Sequence, residues 1–180
     1  MEYVFLKSTI TTPTANTSYV EESARSMANN EVSFVSQLHT PSGYLRLYAN
    51  NMAVTKIKFY DEPIEENSNE VSNIAKKQMQ EYLAGERQAF DLLLAPKGTE
   101  FQTRVWNELL QVAYGKTASY LDIAKALNKP TACRAVGAAN GKNPIAIVIP
   151  CHRVIGTSGK LTGYAGGLSR KSFLLTLESE

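Results

Sequence analysis

The chain has 180 residues and a formal net charge of +2, and 43% of its residues are hydrophobic while 20% are charged. This length suits one ordinary domain or two small ones, and 11 Gly, 7 Pro and 2 Cys exclude the collagen-like, disordered and disulfide-rich classes. The longest purely apolar run, Ile145 to Ile149, is far shorter than a membrane span, and Met1 to Phe5 lacks the features of a signal peptide. We therefore expect a cytoplasmic protein that has no membrane partner.

The charge is unevenly distributed along the chain. Up to Leu94 there are 8 Lys and Arg against 12 Asp and Glu, a net charge of −4, whereas the remainder has 11 against 5, a net charge of +6. A basic half predicts binding to a polyanion such as nucleic acid. Chance differences between two short halves are the alternative.

The first half predicts a small α+β domain over residues 1–95. Residues 1–30 are rich in Ser, Thr and Asn, which predicts a polar extension that carries one short strand at Tyr3 to Lys7. Apolar and β-branched runs that alternate with turn residues predict a three-stranded antiparallel meander, with the runs at Val32 to Val35, Tyr44 to Tyr48 and Val54 to Phe59. Helical spacing then predicts a helix within Glu66 to Gln88, and Phe90 to Ala95 predicts a further strand.

The second half, residues 96–180, predicts mainly helices. Thr99 with Gln102 and Ser119 with Asp122 match the start of a capped helix, and Thr131 is placed to cap a helix over Ala132 to Asn140. The last two helices, separated by a short turn, form a helix-turn-helix candidate. An ordinary helical hairpin of the core is the alternative.

The second helix of this candidate has almost no long side chains. Arg134 is the one long residue between Pro130 and Lys142, and Ala and Gly predominate around it. A helix that reads base sequence in the major groove needs several hydrogen-bonding side chains. This composition favours close, sequence-independent approach to DNA. Tight packing between helices is the alternative.

The strongest chemical feature is Cys151, which follows a buried apolar run and Pro150. A reactive thiol needs a nearby base or cation, and His152 and Arg153 supply both. Direct contact between Cys151 and His152 would require a turn or a bridging water, because adjacent residues of a strand point to opposite faces. A buried, inert cysteine is the alternative. The remaining candidates, Cys133 and His39, have no zinc-site spacing, so we expect no metal.

Several motifs occur together around this cysteine. They are Arg134-Ala135-Val136-Gly137, Asn143-Pro144, Pro150-Cys151-His152-Arg153-Val154 and Thr162-Gly163-Tyr164-Ala165-Gly166-Gly167. In this order and spacing the chain closely resembles the O6-alkylguanine-DNA alkyltransferases, or methylated-DNA protein-cysteine methyltransferases, most of all the bacterial Ogt type. The match runs without a gap from about Gly115 to Glu178.

The resemblance implies a fold and a reaction. It implies a ribonuclease H-like N-terminal domain and a C-terminal domain of winged-helix or helix-turn-helix type that carries the active site. It also implies DNA repair, in which the alkyl group of O6-methylguanine or O4-methylthymine passes irreversibly to the protein. The expected partner is double-stranded DNA containing O6-alkylguanine, bound by a monomer that uses neither a metal nor another cofactor.

The resemblance further implies roles for matching residues. Cys151 would accept the alkyl group, and His152, held by Glu178, would draw the thiol proton through a water. Asn143 would stabilise the turn at the nucleophile, and Tyr120 would hydrogen-bond the base. The expected substrate and DNA contacts are Arg134, which fills the stack when the damaged nucleotide is flipped out, and Val154, Tyr164 and Thr157.

Some positions depart from the family pattern. Val112-Ala113-Tyr114-Gly115 lacks a proline that the family often has, Cys133 stands where small apolar residues are usual, and Ala165 stands where some relatives have serine. Two other functions are compatible with parts of the sequence. One is a non-catalytic, damage-sensing DNA-binding protein of the alkyltransferase-like type, and the other is a cysteine hydrolase.

Overall fold

Strands β2, β3 and β4 form the antiparallel meander that the sequence predicts. They span Phe34–Thr40, Gly43–Ala49 and Val54–Tyr60. The computed structural model describes Leu6, Lys7 and residues 33–179. Its sheet has the order β1 (Leu6–Lys7), β5 (Leu93–Leu94), β4, β3 and β2. The predicted polar extension, most of the Tyr3 to Lys7 strand, and Val32 lie outside the described residues.

Two very short strands complete this sheet. Strand β1 (Leu6–Lys7) pairs antiparallel with β5 (Leu93–Leu94), and β5 pairs parallel with β4. The predicted strand over Phe90 to Ala95 is therefore too long. The backbone N–H and carbonyl of Asp91 are occupied by the side chain of Gln78, at 2.8 and 3.0 Å, so strand pairing begins only after this point.

Helix α1 (Glu70–Leu83) packs on one face of the sheet. It is shorter than the predicted Glu66 to Gln88, because Asn69 and Ser72 close a capping box at its start and Gly85, with φ of +76°, follows its end. Positive φ is a conformation that favours glycine. The apolar side chains that fill the space between sheet and helix are fully buried: Leu45, Leu47, Ile57, Ala75 and Met79.

The chain divides into two compact units between Lys97 and Gly98. The second unit contains four helices among the described residues: α2 (Glu100–Leu109), α3 (Tyr120–Ala126), α4 (Cys133–Gly141) and α5 (Leu168–Leu177). Strands β6 (Ala118–Ser119) and β7 (Val154–Ile155) pair in parallel. A 3₁₀ turn over Cys151–Arg153 precedes β7.

The predicted starts of α2 and α3 are confirmed, since Thr99 with Gln102 and Ser119 with Asp122 each form a complete capping box. The predicted cap at Thr131 is wrong. The Ala132 N–H donates to the Lys129 carbonyl at 2.8 Å, which continues the preceding turn by one residue. Helix α4 therefore begins at Cys133, with Ala132 as an N-cap that makes no side-chain hydrogen bond.

Helix α2 anchors the helix pair α3 and α4. The buried Trp106 donates its indole N–H to the Ala139 carbonyl at 3.0 Å, and the ring of Tyr120 faces Gly137, where an added Cβ would lie 3.7 Å away. Asn128, with φ of +57°, ends the turn of α3. Among the described residues, no helix combines the length and apolar character that crossing a membrane requires.

Candidate active site

A tight apolar turn brings Cys151 into the interior of the second unit. Asn143 brackets this turn, because its Nδ2 donates to the Ile149 carbonyl at 2.7 Å and its Oδ1 accepts from the Ile145 N–H at 3.0 Å. At its centre Ile147 has φ of +72°, which is unusual for a β-branched residue. The two side-chain bonds of Asn143 hold a strained backbone in place directly before the cysteine.

The next three residues turn instead of extending. Cys151, His152 and Arg153 form the 3₁₀ turn, and all three are buried. Asn140, on helix α4, donates to the Cys151 carbonyl at 3.3 Å and so attaches the turn to the helix. The sequence analysis required either a turn or a bridging water for Cys151 and His152 to act together, because adjacent side chains of a strand point to opposite faces. The structure has the turn.

His152 and Glu178 meet in the interior. The Nε2 atom of His152 lies 2.9 Å from Oε1 of Glu178, and the side chains are 0% and 1% exposed. Glu178 is the C-cap residue of α5, so the end of this helix sets its position. The structure thus brings together two residues that are far apart in the sequence.

Arg153 fixes the carboxylate from its other side. Its Nε and Nη2 donate to the two oxygens of Glu178, each at 2.8 Å, and its Nη1 donates to the Val112 carbonyl. This is the bidentate geometry that makes an Arg-carboxylate pair specific in direction. The sequence suggested Arg153 as a cation for the thiol, but in the structure its guanidinium holds Glu178.

This pairing determines which nitrogen of His152 carries the proton. Because Nε2 faces a carboxylate, Nε2–H is the donor and Nδ1 is left as an acceptor. Nδ1 is buried and has no hydrogen-bond partner among the described residues. Burial lowers the pKa of His152 below its ordinary value of 6.5, although the Glu178 carboxylate acts in the opposite direction. The resting imidazole is neutral at pH 7 and can accept a proton.

The thiol is also neutral at rest. Burial raises the pKa of Cys151, while the hydrogen bond with Asn143 and the charge of Lys171 partly oppose this. A thiol of this kind needs a base to become a nucleophile. The site therefore combines a protonated thiol with a neutral, oriented imidazole.

Lys171 is the residue whose importance the sequence did not indicate. It is fully buried, and its Nζ donates to the carbonyls of Val154 and Thr162 at 2.6 and 2.8 Å. Burial lowers the pKa of Lys171, and the charge of Cys151 opposes this shift. A lysine in a polar stretch of helix carries no sequence signal that separates it from a surface residue.

Tyr120 and Tyr164 both lie against the loop over residues 162–166. The Tyr120 hydroxyl donates to the Thr162 carbonyl at 3.3 Å, the same oxygen that Lys171 contacts. The Tyr164 hydroxyl is buried without a partner among the described residues. Burial raises the pKa of Tyr164 well above 10.0, and the charge of Cys151 contributes to this shift.

The remaining predicted positions differ in exposure. Val154 is buried and is paired in β7, whereas Arg134 and Thr157 are exposed. Cys133 is half-buried, with its Sγ 3.5 Å from the Pro130 carbonyl. Among residues 33–179 no group of three or more His, Cys, Asp or Glu is placed to hold a metal ion.

The buried imidazole makes stability depend on pH. The folded-state pKa of His152 is depressed, so the unfolded chain binds more protons as the pH falls through about 6.5. The stability that the neutral His152 contributes to the folded protein is fully present above this pH and is lost as the pH falls below it. We expect the free energy of unfolding, measured by urea denaturation, to fall between about pH 7 and pH 5.5. The His152→Gln variant should show a smaller decrease over the same range, and an equal decrease would contradict the assignment.

The chain is similar to known proteins over most of its length. Residues 100–180 match the family model "6-O-methylguanine DNA methyltransferase, DNA binding domain". A methylated-DNA-protein-cysteine methyltransferase from Methanosarcina acetivorans is 60% identical over 104 residues, which are 58% of this chain and 67% of that protein. One from Mycolicibacterium paratuberculosis is 49% identical over 146 residues, 77% of this chain and 88% of that protein.

Solved structures match as well. The O6-methylguanine methyltransferase of Mycobacterium tuberculosis superposes with a TM-score of 0.75 at 44% identity, over 82% of this chain and 93% of that one. The Mycobacterium tuberculosis OGT in complex with DNA gives 0.73 at 44% identity, over 79% and 91%. These similarities agree with a mixed α/β fold that has a small sheet and several helices.

Proposed function

Because this chain belongs to the methylated-DNA-protein-cysteine methyltransferase family and repairs DNA by alkyl transfer, we propose that Cys151 is the acceptor of the alkyl group. The described residues include two cysteines, and Cys151 is the one that is buried beside an oriented histidine. The observation that carries the proposal is this arrangement: a neutral thiol, a neutral imidazole, and a carboxylate held by Arg153.

The transfer follows from the protonation states. Nδ1 of His152 takes the thiol proton through a bridging water, and the sulfur then attacks the alkyl carbon in line. The S–C bond forms, the C–O6 bond breaks, and the electron pair remains on the guanine. The thioether does not revert, so each molecule reacts once. The chemistry requires no methyl donor other than the damaged base.

Neighbouring residues position these groups. Glu178 and Arg153 keep the imidazole in the tautomer that accepts at Nδ1, and Asn143 maintains the turn that presents the sulfur. The Lys171 ammonium stabilises the developing thiolate by its charge. Together these residues favour formation of the thiolate when His152 accepts the thiol proton.

The partner in this proposal is double-stranded DNA containing O6-alkylguanine or O4-methylthymine. Helices α3 and α4 serve as a helix-turn-helix in a winged-helix type of unit, and the preceding sheet and α1 as a ribonuclease H-like domain. The target oxygen can meet a buried thiol only if the nucleotide leaves the base stack. Tyr120, Val154 and Tyr164 receive the base, and Thr157 contacts a phosphate. The proposal also includes a monomer that acts in the cytoplasm.

Arg134 is exposed on a helix of small residues, which suits insertion into the stack in place of the flipped nucleotide. We expect Arg134→Ala to slow methyl transfer from duplex DNA on the order of tenfold, a part of the few kcal/mol of unstacking. Transfer from the free base O6-benzylguanine should keep its rate, as measured by single-turnover kinetics. The exposed Arg104 gives a charge-matched control, Arg104→Ala. Equal slowing with both substrates would contradict the inserted role.

Mass spectrometry tests the acceptor directly. The protein is mixed with a duplex containing one O6-methylguanine and digested with trypsin, which places Cys151 in residues 143–153 and Cys133 in residues 126–134. A single methyl group on the Cys151 peptide, saturating at one per protein, is the expected result. Binding without a gain in mass would place the protein in the damage-sensing class. Repeated turnover on another substrate would favour a hydrolase.

A further inference from the structure

The sheet of the first unit has one face covered by helix α1 and one open face. Helix α1 lies over the face that carries Leu45, Leu47 and Ile57, which are fully buried. Because side chains alternate between the two faces of a strand, the intervening residues form the open face. On the two central strands of the meander these are Tyr44, Arg46 and Tyr48 of β3 and Lys56, Lys58 and Tyr60 of β4. Lys58 is exposed and the other five are half-buried.

Charge is segregated within this unit. Strands β2, β3 and β4 contain Arg46, Lys56 and Lys58 but no Asp or Glu, and the eight described Asp and Glu residues of the unit all follow Tyr60 in the chain. Among the described residues, none of the three cations forms an ion pair. Arg46 contacts Glu62 through the backbone carbonyl, at 2.7 Å. The acidic first half of the chain therefore contains a positively charged sheet face.

Tyrosine rings lie among these cations. The Lys56 ammonium is 3.9 Å from the centre of the Tyr48 ring, and Cζ of Arg46 is 3.9 Å from the centre of the Tyr60 ring. Both distances are those of cation–π contacts. Burial raises the pKa of Tyr48, but a hydrogen bond with Tyr60 and the two cations outweigh burial and lower this pKa below its ordinary value. The open face thus combines aromatic surface with positive potential.

The strand register arranges these side chains in three rows. Arg46 lies opposite Lys58 in the middle row. Tyr44 and Tyr60 form one outer row, and Tyr48 lies opposite Lys56 in the other. Rows two residues apart along a strand are separated by about 7 Å. Each row of aromatic side chains is therefore next to a row of cations.

This pattern matches the chemistry of an unpaired nucleic-acid strand. The bases of a single strand stack on aromatic rings and guanidinium planes, and its phosphates pair with cations. In a duplex the bases are already stacked on one another, so a duplex would contact the cations and leave the tyrosine rings unused. The three tyrosines therefore favour a single strand over a duplex on this face.

We propose that the open face of the first unit is a second nucleic-acid site, which binds single-stranded DNA by base stacking on its tyrosines and by phosphate contacts with Arg46, Lys56 and Lys58. The site goes beyond the function proposed above, since it contributes no residue to the surroundings of Cys151. It holds the protein on separated strands whether or not a lesion is present.

Photocrosslinking locates the bound strand. A single-stranded thymidine oligonucleotide that contains 5-iododeoxyuridine is bound to the full chain, irradiated and digested with trypsin, which places Tyr48 in residues 47–56 and Tyr60 in residues 59–76. We expect crosslinks on both peptides. Crosslinks confined to residues 98–180 would overturn the proposal. The oligonucleotide contains no guanine, so this result does not depend on alkyl transfer.

Substitutions separate stacking from charge. Affinity for a labelled thymidine oligonucleotide is measured by fluorescence anisotropy, with excess unlabelled, undamaged duplex to occupy helices α3 and α4. Tyr48→Thr, which removes the ring from a strand position, should weaken binding on the order of tenfold, whereas Tyr48→Phe should change it by less than about twofold. Lys58→Glu should weaken binding about fivefold and reduce its dependence on salt. The charge-matched control is Lys77→Glu, at an exposed position on α1, which should bind like the wild type.

The controls keep this test separate from folding and from repair. Lys58 is exposed, so Lys58→Glu tests the site even if loss of the Tyr48 ring lowers the thermal midpoint. Equal weakening by Lys58→Glu and Lys77→Glu would overturn the proposal, and so would wild-type affinity in Tyr48→Thr. Methyl transfer from lesion-containing duplex to Cys151 should keep its rate in Lys58→Glu. Absence of this transfer in the wild type would refute the proposed function and leave the single-strand site unaffected.

Discussion

Replacing Cys151 by serine should abolish alkyl transfer and leave DNA binding intact. The side chain keeps nearly the same size at a site that is 6% exposed, so the fold persists. A hydroxyl is a much weaker nucleophile than a thiolate, and its proton is far harder to remove. We expect the rate to fall by roughly 10⁴-fold or more, as when other enzymes lose a nucleophile. Single-turnover mass spectrometry measures the transfer, and fluorescence anisotropy with a labelled duplex measures the binding.

The second cysteine supplies the control for this change. Cys133→Ser should transfer and bind like the wild type, because Cys133 is only half-buried and contacts the Pro130 carbonyl rather than a base. Methylation that persists in Cys151→Ser would show that another residue accepts the alkyl group. Loss of DNA binding in Cys151→Ser would instead mean that the sulfur is needed for the shape of the site.

Replacing Arg153 by methionine should greatly destabilise the protein. Glu178 has a side chain that is 1% exposed, and Arg153 donates to both of its oxygens. Removing the cation leaves a buried carboxylate that keeps its contacts with His152 and the Gly115 N–H but loses its bidentate charged partner. Breaking a buried pair in this way costs roughly 3–5 kcal/mol. The free energy of unfolding, from denaturant titration, should fall by this amount.

A double substitution distinguishes loss of the Arg153–Glu178 ion pair from simple loss of packing. Arg153→Met combined with Glu178→Gln removes both charges and should recover a large part of the lost stability, because the isolated buried charge causes most of the loss. Alkyl transfer should stay low in the double variant, since the amide no longer orients His152 as a carboxylate does. A loss below about 1 kcal/mol in Arg153→Met would indicate that Glu178 reaches solvent in the folded protein.

The sequence predicted those features that depend on local signals. The meander follows from alternating apolar residues and turns, and the starts of α2 and α3 follow from capping pairs four residues long. The family resemblance carried by the motifs around Cys151 implied that Glu178 holds His152, and the structure has these two side chains in contact at 2.9 Å. These signals are short in range or fixed in spacing, so they can be recognised without knowledge of the tertiary structure.

Features that depend on tertiary contacts were missed. The role of Arg153 depends on Glu178, which is 25 residues away, and that of Lys171 on two backbone carbonyls that only the folded chain brings together. The short β5 strand depends on Gln78, whose amide binds the backbone at Asp91. The wrong cap at Thr131 has a local cause, since the preceding turn continues by one residue.

Ile147 shows how two requirements of one position conflict. Its backbone, with φ of +72°, would suit glycine, whereas its side chain, 1% exposed, contributes to the core. The strain costs roughly 1–3 kcal/mol, and the loss of a buried isoleucine side chain costs about 2–5 kcal/mol. The stability gained by burying the side chain therefore exceeds the cost of the backbone strain. Variation at this position during evolution should favour other apolar side chains over glycine. The turn over residues 143–149, directly before Cys151, is therefore selected for the packing of its side chains as well as for its backbone conformation.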